Sequence, residues 1–208
     1  MMPKSNFLLK HSLVLVVYSL VFMLITVGSI YSERFLTLRN LTNVLRQAAY
    51  LGTAALGEML VILTAGIDLS IGSLVKLSVL VSAILMDGNP DNVMMAVGLT
   101  LALGLGVGLL HAFFINELNL SPFVVTFASL FILQGISLTI TTKPIGRSSK
   151  DFLLLYSQKF LEVPIIVYFF GLVTLLIAFL LNMTVFGKHI YAVGGNPTVA
   201  ELSGIPVK

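Results

Sequence analysis

An all-α, polytopic transmembrane bundle of about six spans is the fold class this sequence predicts, and three observations predict it. The 208 residues are 57% hydrophobic and only 10% charged, with a mean hydropathy of +1.03, which leaves too little polar surface for a soluble domain. The apolar residues fall in long continuous runs at 12–31, 43–65, 71–87, 92–115, 123–142 and 163–182, and about 20 apolar helical residues cross a hydrocarbon core of roughly 30 Å. The in-out alternation over about ten residues that marks barrel strands is missing from them. The expectation is a single transmembrane domain over 1–208, with a polar terminal segment at 183–208.

The first run follows Lys4, Lys10 and His11 in the manner of a secretory signal. It is too long for one, and no small-x-small cleavage site follows, so it reads as a retained helix. Ser32 to Arg46 is the first polar connection, with Asn40 or Thr42 as cap of the second helix. Asp87-Gly88-Asn89-Pro90-Asp91 is made of turn formers and reads as a tight loop. Asn116 to Pro122 reverses the chain again, with Ser121 as cap and Pro122 in the first turn of the fifth helix. The longest loop, Thr142 to Val163, carries Lys143, Arg147, Lys150, Asp151, Lys159 and Glu162. In the fourth run Gly104 and Gly108 share a helix face, a spacing that lets membrane helices approach closely.

The second and third runs are joined by Thr64-Ala65-Gly66-Ile67-Asp68-Leu69-Ser70-Ile71-Gly72-Ser73, an acidic, Gly-bearing break inside what should be hydrocarbon. Irregular backbone at membrane depth is tolerated only where protein or a polar cavity surrounds it, and transporters place solute sites at such breaks. Two readings of Asp68 stand side by side. Its carboxylate caps the next helix by accepting from the amides of Ser70 or Ile71, or Asp68, Ser70 and Ser73 line a permeation path suited to a hydroxyl-rich solute.

Glu58 and Lys76 flank this break nine positions either side of Ile67, each costing roughly 2.5–3.5 kcal/mol at a helix centre. If residues 66–70 form a hairpin, the two lie at similar depth, about 13 Å from the turn at 1.5 Å per residue. The expectation is an intramembrane Glu58–Lys76 ion pair; a proton or solute site, or simple snorkelling, are its competitors.

Several classes are excluded. With no cysteine and three histidines lacking an H-x-x-x-H pair, thiolate metal sites and disulfides are ruled out, and no cofactor is expected. A net charge of +3 with scattered Lys and Arg gives no nucleic-acid footprint. No nucleophile stands with an evident base, so an enzyme is not expected.

The break, the block Ser121-Pro122-Phe123-Val124-Val125-Thr126, and the tail from Phe186-Gly187-Lys188-His189-Ile190-Tyr191-Ala192-Val193-Gly194-Gly195-Asn196-Pro197 to Ile205 together resemble the permease subunits of bacterial ABC importers for ribose, other monosaccharides and autoinducer-2. The resemblance runs in order along nearly the whole chain. It implies a multi-pass protein of the bacterial inner (plasma) membrane, surrounded by membrane lipid, that imports a monosaccharide or similar solute. A second permease copy or paralogue, a periplasmic substrate-binding protein and a separate ABC ATPase subunit are the implied partners, with ATP hydrolysis in the last. It also implies that Gly187 to Ile205, within 183–208, is a cytoplasmic segment docking into the ATPase, with Tyr191, Gly194, Asn196, Ala200 and Gly204 on matching positions.

The tail has a physical reading of its own: a tight turn at Gly194, Gly195 and Pro197, then a short helix over Thr198 to Ser203 ended by Gly204. The sequence also departs from the family pattern. Ala65 stands where a glycine is usual, Glu58 and Lys76 where uncharged residues are usual, and Lys188 where arginine is usual. Family permeases are longer, so the chain reads as truncated, covering the N-terminal two thirds. A cytoplasmic tail after six spans requires a cytoplasmic N-terminus, which sets more Lys and Arg outside than the positive-inside rule favours. The alternatives are a secondary transporter using Glu58 and Lys76, and a truncated permease fragment that binds partners without transporting.

Overall fold

A computed structural model describes residues 7–207 other than Pro144, with side chains from Val14 onward; Lys4, one of the charges before the first predicted run, and Lys208, the end of the predicted segment 183–208, lie outside the described residues. The chain divides into two compact units, Met1–Gln47 and Ala48–Lys208, and the boundary falls inside one helix.

In the first unit α1 runs Phe7–Tyr31 and α2, Leu38–Leu63, begins. The connection is short because Phe35 folds back over Gly28, where a Cβ would lie 2.6 Å from the ring. Asn40 Nδ2 donates to the Phe35 carbonyl at 2.7 Å. The α2 cap is Thr37, whose Oγ1 accepts from Asn40 N at 3.4 Å. Neither Asn40 nor Thr42 caps: α2 starts earlier than its apolar run, and Thr42 is buried inside it, donating to the Arg39 carbonyl.

In the second unit α3 (Ile71–Met86) has α4 (Val93–Ala112) and α5 (Pro122–Ile140) as its main neighbours. Leu77, Met86, Ala96, Val125 and Leu133 are buried among them. Asp87 and Gly88 take positive φ, and Asn89 caps a 3₁₀ turn by accepting from Asp91 N at 3.0 Å, the tight loop expected. A π-helical turn, Phe113–Glu117, extends α4. Ser121 and Pro122 open α5 as expected, although the Ser121 hydroxyl makes no capping bond.

The long loop holds more structure than the sequence suggests. Ser149, fully buried, caps α6 (Lys150–Ser157) by accepting from Phe152 N at 3.2 Å. Strands β1 (Lys159–Phe160) and β2 (Val163–Pro164) pair antiparallel around Leu161 and Glu162, both at positive φ, the backbone of a tight hairpin turn. Gly146, at φ +74, brings this loop against the carbonyl end of α3, where a Cβ would lie 2.5 Å from the Ala83 carbonyl. Helix α7 (Ile165–Met183) follows, then α8 (Val185–Gly195) and α9 (Pro197–Leu202).

Each of the six apolar runs is helical over most of its length, and among the described residues four helical stretches are long and apolar enough to cross a membrane: Val14–Tyr31, Pro90–Glu117, Pro122–Ile140 and Ile165–Met183. The other two fall short for different reasons. Helix α3 has 16 residues, about 24 Å at 1.5 Å per residue, whereas α2 carries Arg39, Arg46 and Glu58. Large exposed apolar side chains on α1, α4, α5 and α7 form the surface expected against lipid. A Cβ at Gly104 or Gly108 meets nothing within 4 Å, so that small-residue face is not packed against the described residues.

Candidate functional site

The acidic break is built by a helix end forced into an unusual residue. Gly66 N donates to the Val61 carbonyl at 3.0 Å and Ala65 N to the Ile62 carbonyl at 2.9 Å, the paired bonds of a Schellman stop. Such a stop needs a left-handed residue, usually Gly, and here Ala65 occupies it at φ 60. The tail repeats the device with the preferred residue. Ile205 N donates to the Ala200 carbonyl, Gly204 N to the Glu201 carbonyl, and Gly204 sits at φ +77.

Beyond Gly66 the chain is held by side chains from three directions. Asp68 Oδ1 accepts from both Ser70 N and Ser70 Oγ at 2.7 Å, so the carboxylate organises the start of α3 while Ser70 itself is fully buried. Glu58, one and a half turns before the end of α2, accepts from Asp68 N through Oε1 at 3.3 Å. From α5 the buried Thr126 hydroxyl lies 3.1 Å from the Ile67 carbonyl and 2.9 Å from that of Pro122.

This geometry corrects the expected ion pair. Among the described residues the salt bridge within 4.0 Å is Lys159–Glu162 at 3.3 Å; Glu58 is turned to Asp68, and its Oε2 is buried without a hydrogen-bond partner. Lys76 sits on an exposed face of α3. The depth argument assumed a tight hairpin, but α3 takes α4 and α5 as its main neighbours.

Below the break lies a cavity of about 670 Å³, within the 300–1,000 Å³ typical of small-molecule sites. Asp68 lines it together with Thr64, His111, Asn116, Thr126 and His189, and the remaining wall is largely apolar, including Val61, Ile115, Phe186, Ile190 and Val193. His111, nearly buried, shares a 2.8 Å hydrogen bond between Nε2 and Ser129 Oγ. Of the three predicted pathway residues, Asp68 alone reaches the cavity wall: Ser70 is occupied by Asp68, and Ser73 is one turn into α3. The two histidines and Asn116 were not legible as site residues, since no spacing connects them; they meet only because the π-turn at the end of α4 and the start of α8 face the same space.

The tail residues are equally specific in place. Tyr191 is exposed and Ala200 buried. Gly194 lies so close to the end of α2 that a Cβ there would overlap the Leu63 carbonyl. The expected turn at Gly194 and Gly195 is instead the last turn of α8; the break comes at Asn196, which is extended and caps α9 by accepting from Val199 N at 3.2 Å. Pro197 explains the shift, because the residue before a proline is pushed out of the helical region. The short helix before Gly204 is present as expected.

Comparison with known proteins follows the same lines. The chain is 35% identical over 182 residues to the D-allose transport system permease protein AlsC of Escherichia coli K12, covering 87% of this chain and 56% of that protein. It is 35% identical over 189 residues to the ribose import permease protein RbsC of the same organism, covering 88% and 59%. It is 30% identical over 211 residues to the galactose/methyl galactoside import permease protein MglC of Escherichia coli K12, covering 92% and 62%. The chain thus spans less than two thirds of the length of these curated relatives. No solved structure matches it. Residues 40–208 match the family model described as branched-chain amino acid transport system / permease component, and the chain belongs to that permease family.

Proposed function

We propose that this chain is the membrane-spanning permease subunit of an ATP-binding-cassette importer for a monosaccharide or a similar hydroxylated solute in the bacterial inner membrane. It works with a second permease copy or paralogue, a periplasmic substrate-binding protein and a separate ATPase. The observation that carries the reading is that the Asp68 break and the α8–α9 tail wall one cavity. A solute-handling turn and an ATPase-docking lever need mechanical contact, and the approach of Gly194 to the Leu63 carbonyl supports it. Displacement of α8 then bears on the end of α2 and on the turn that Glu58 and Thr126 hold. Asp68 engages Ser70 through Oδ1 alone, which leaves Oδ2 to accept from a solute hydroxyl. The relatives' names, for D-allose, ribose and galactose, support a sugar as that solute.

Tyr191, Gly194, Asn196, Ala200 and Gly204 are then the coupling positions, and Asp68 the pathway position. The test is co-purification in detergent with the ATPase encoded beside it, comparing the intact chain with one ended after Asn182, alongside uptake of labelled ribose, allose and galactose by cells carrying the complete transporter. Retention by the intact chain alone, with Asp68→Asn lowering uptake but not retention, is the expected result. Equal retention of both forms, or uptake untouched by ATP depletion, overturns the proposal.

A further inference from the structure

We propose that the groove between the end of α1 and the start of α2 binds the phosphate of an anionic phospholipid headgroup. It is a recess of about 680 Å³ lined by Arg34 and Arg39 together with Phe35, Thr37, Asn40 and Asn43. No carboxylate is among its lining residues; Glu33, next in sequence, lies outside it. Neither guanidinium is in an ion pair among the described residues. Arg34 lies on the connecting loop and Arg39 in the first turn of α2, and the loop is held by its own bonds, from Thr37 Oγ1 to the Arg34 carbonyl at 2.7 Å and from Asn40 Nδ2 to the Phe35 carbonyl at 2.7 Å. Two forked donors, one on a braced loop and one on the helix it leads into, match the oxygens of a phosphate.

Depth selects a lipid as the source of that phosphate. The apolar span of α1 ends at Tyr31, and the groove begins at Ser32, so its floor stands where hydrocarbon gives way to headgroups. Tyr31 is 87% exposed, and Leu36 and Leu38 beside the groove are more than half exposed. Cations over an apolar flank suit a molecule with both parts. A bound headgroup also gives a physical reason for arginines on whichever side of the membrane this loop occupies, because its negative charge offsets part of theirs locally.

The experiment uses the full chain purified in detergent, with retained lipid counted by native mass spectrometry after incubation with palmitoyl-oleoyl phosphatidylglycerol or phosphatidylcholine. The Arg34→Gln/Arg39→Gln chain should lose phosphatidylglycerol affinity by about 30-fold, given the usual contribution of each basic residue at a charged membrane surface. Its phosphatidylcholine retention and elution profile should be unchanged, which reports that it is folded. Lys143→Gln/Lys150→Gln removes the same charge elsewhere and should have no such effect. An equal loss in that control, or no preference between the lipids, overturns the proposal. Arginine-dependent protection by inorganic phosphate without lipid assigns the groove to a free anion, and arginine-dependent binding of a polyglutamate peptide without lipid preference assigns it to an acidic protein. Either result overturns the lipid assignment.

Discussion

Replacing Glu58 with alanine removes the side-chain acceptor seen for the amide of Asp68. An unsatisfied donor costs about 1–3 kcal/mol when fully buried, and the part-buried, 3.3 Å geometry of this bond places the loss at the low end, about 1 kcal/mol. For a chain of this size that is a drop of about 2–4 °C in melting temperature. Glu58→Gln behaves differently: the amide carbonyl still accepts from Asp68, and the charged, partnerless Oε2 is exchanged for an uncharged amide nitrogen that is equally partnerless, so one desolvation cost replaces another. Its melting temperature should stay within about 2 °C of the parent. Lys76→Met should be neutral, and the double Glu58→Ala/Lys76→Met chain should show the sum of the single effects to within about 0.5 kcal/mol. The assay is heating in detergent followed by size-exclusion measurement of the surviving monodisperse fraction. If Glu58→Gln is as harmful as Glu58→Ala, the carboxylate's charge matters and the hydrogen-bond argument fails. A coupling above about 1 kcal/mol between positions 58 and 76 restores the ion pair.

Two further predictions compare neighbouring or equivalent positions. Ala65→Gly relieves a left-handed alanine and should stabilise the chain by about 1 kcal/mol, whereas Gly204→Ala, at the same place in the second Schellman stop, should cost a similar amount; opposite shifts in the melting assay are expected, and shifts of the same sign refute the reading. Gly194→Ala drives a methyl into the Leu63 carbonyl and should cost about 1–3 kcal/mol together with solute uptake, while Gly195→Ala, open on its outer side, should be silent in both measurements.

What the sequence revealed and what it hid divide along physical lines. Continuous apolarity is a local property, so every one of the six helical segments was visible, and so was the break at Asp68, whose cap bond to Ser70 depends on residues two apart. Helix α9 was legible because Pro197 and Gly204 bracket it. Hidden features depended on distant backbone. Leu161 and Glu162 turn the hairpin at positive φ without a Gly or Asn to announce it. The paired glycines at 194 and 195 suggested a turn, yet they remain helical, because one of them is needed for close approach to Leu63. The partner of Glu58 was misassigned because equal depth along two helices does not specify azimuth. The cavity's histidines had no sequence signal at all, their proximity being a product of how α4 and α8 end.

The shortness of α3 bears on membrane thickness. Its 16 residues reach about 24 Å against a hydrocarbon core of roughly 30 Å. One end opens at the Asp68 break and its cavity, and the other is roofed by the polar Gly146–Arg147 loop, whose Arg147 amide bonds to the Ala83 carbonyl at 3.1 Å. A hydrophobic stretch shorter than the bilayer is accommodated by local thinning, by snorkelling of flanking side chains or by association with another chain. The apolar stretch of α3 is about a fifth shorter than a typical hydrocarbon core, so its ends call for protein or polar surroundings in place of hydrocarbon.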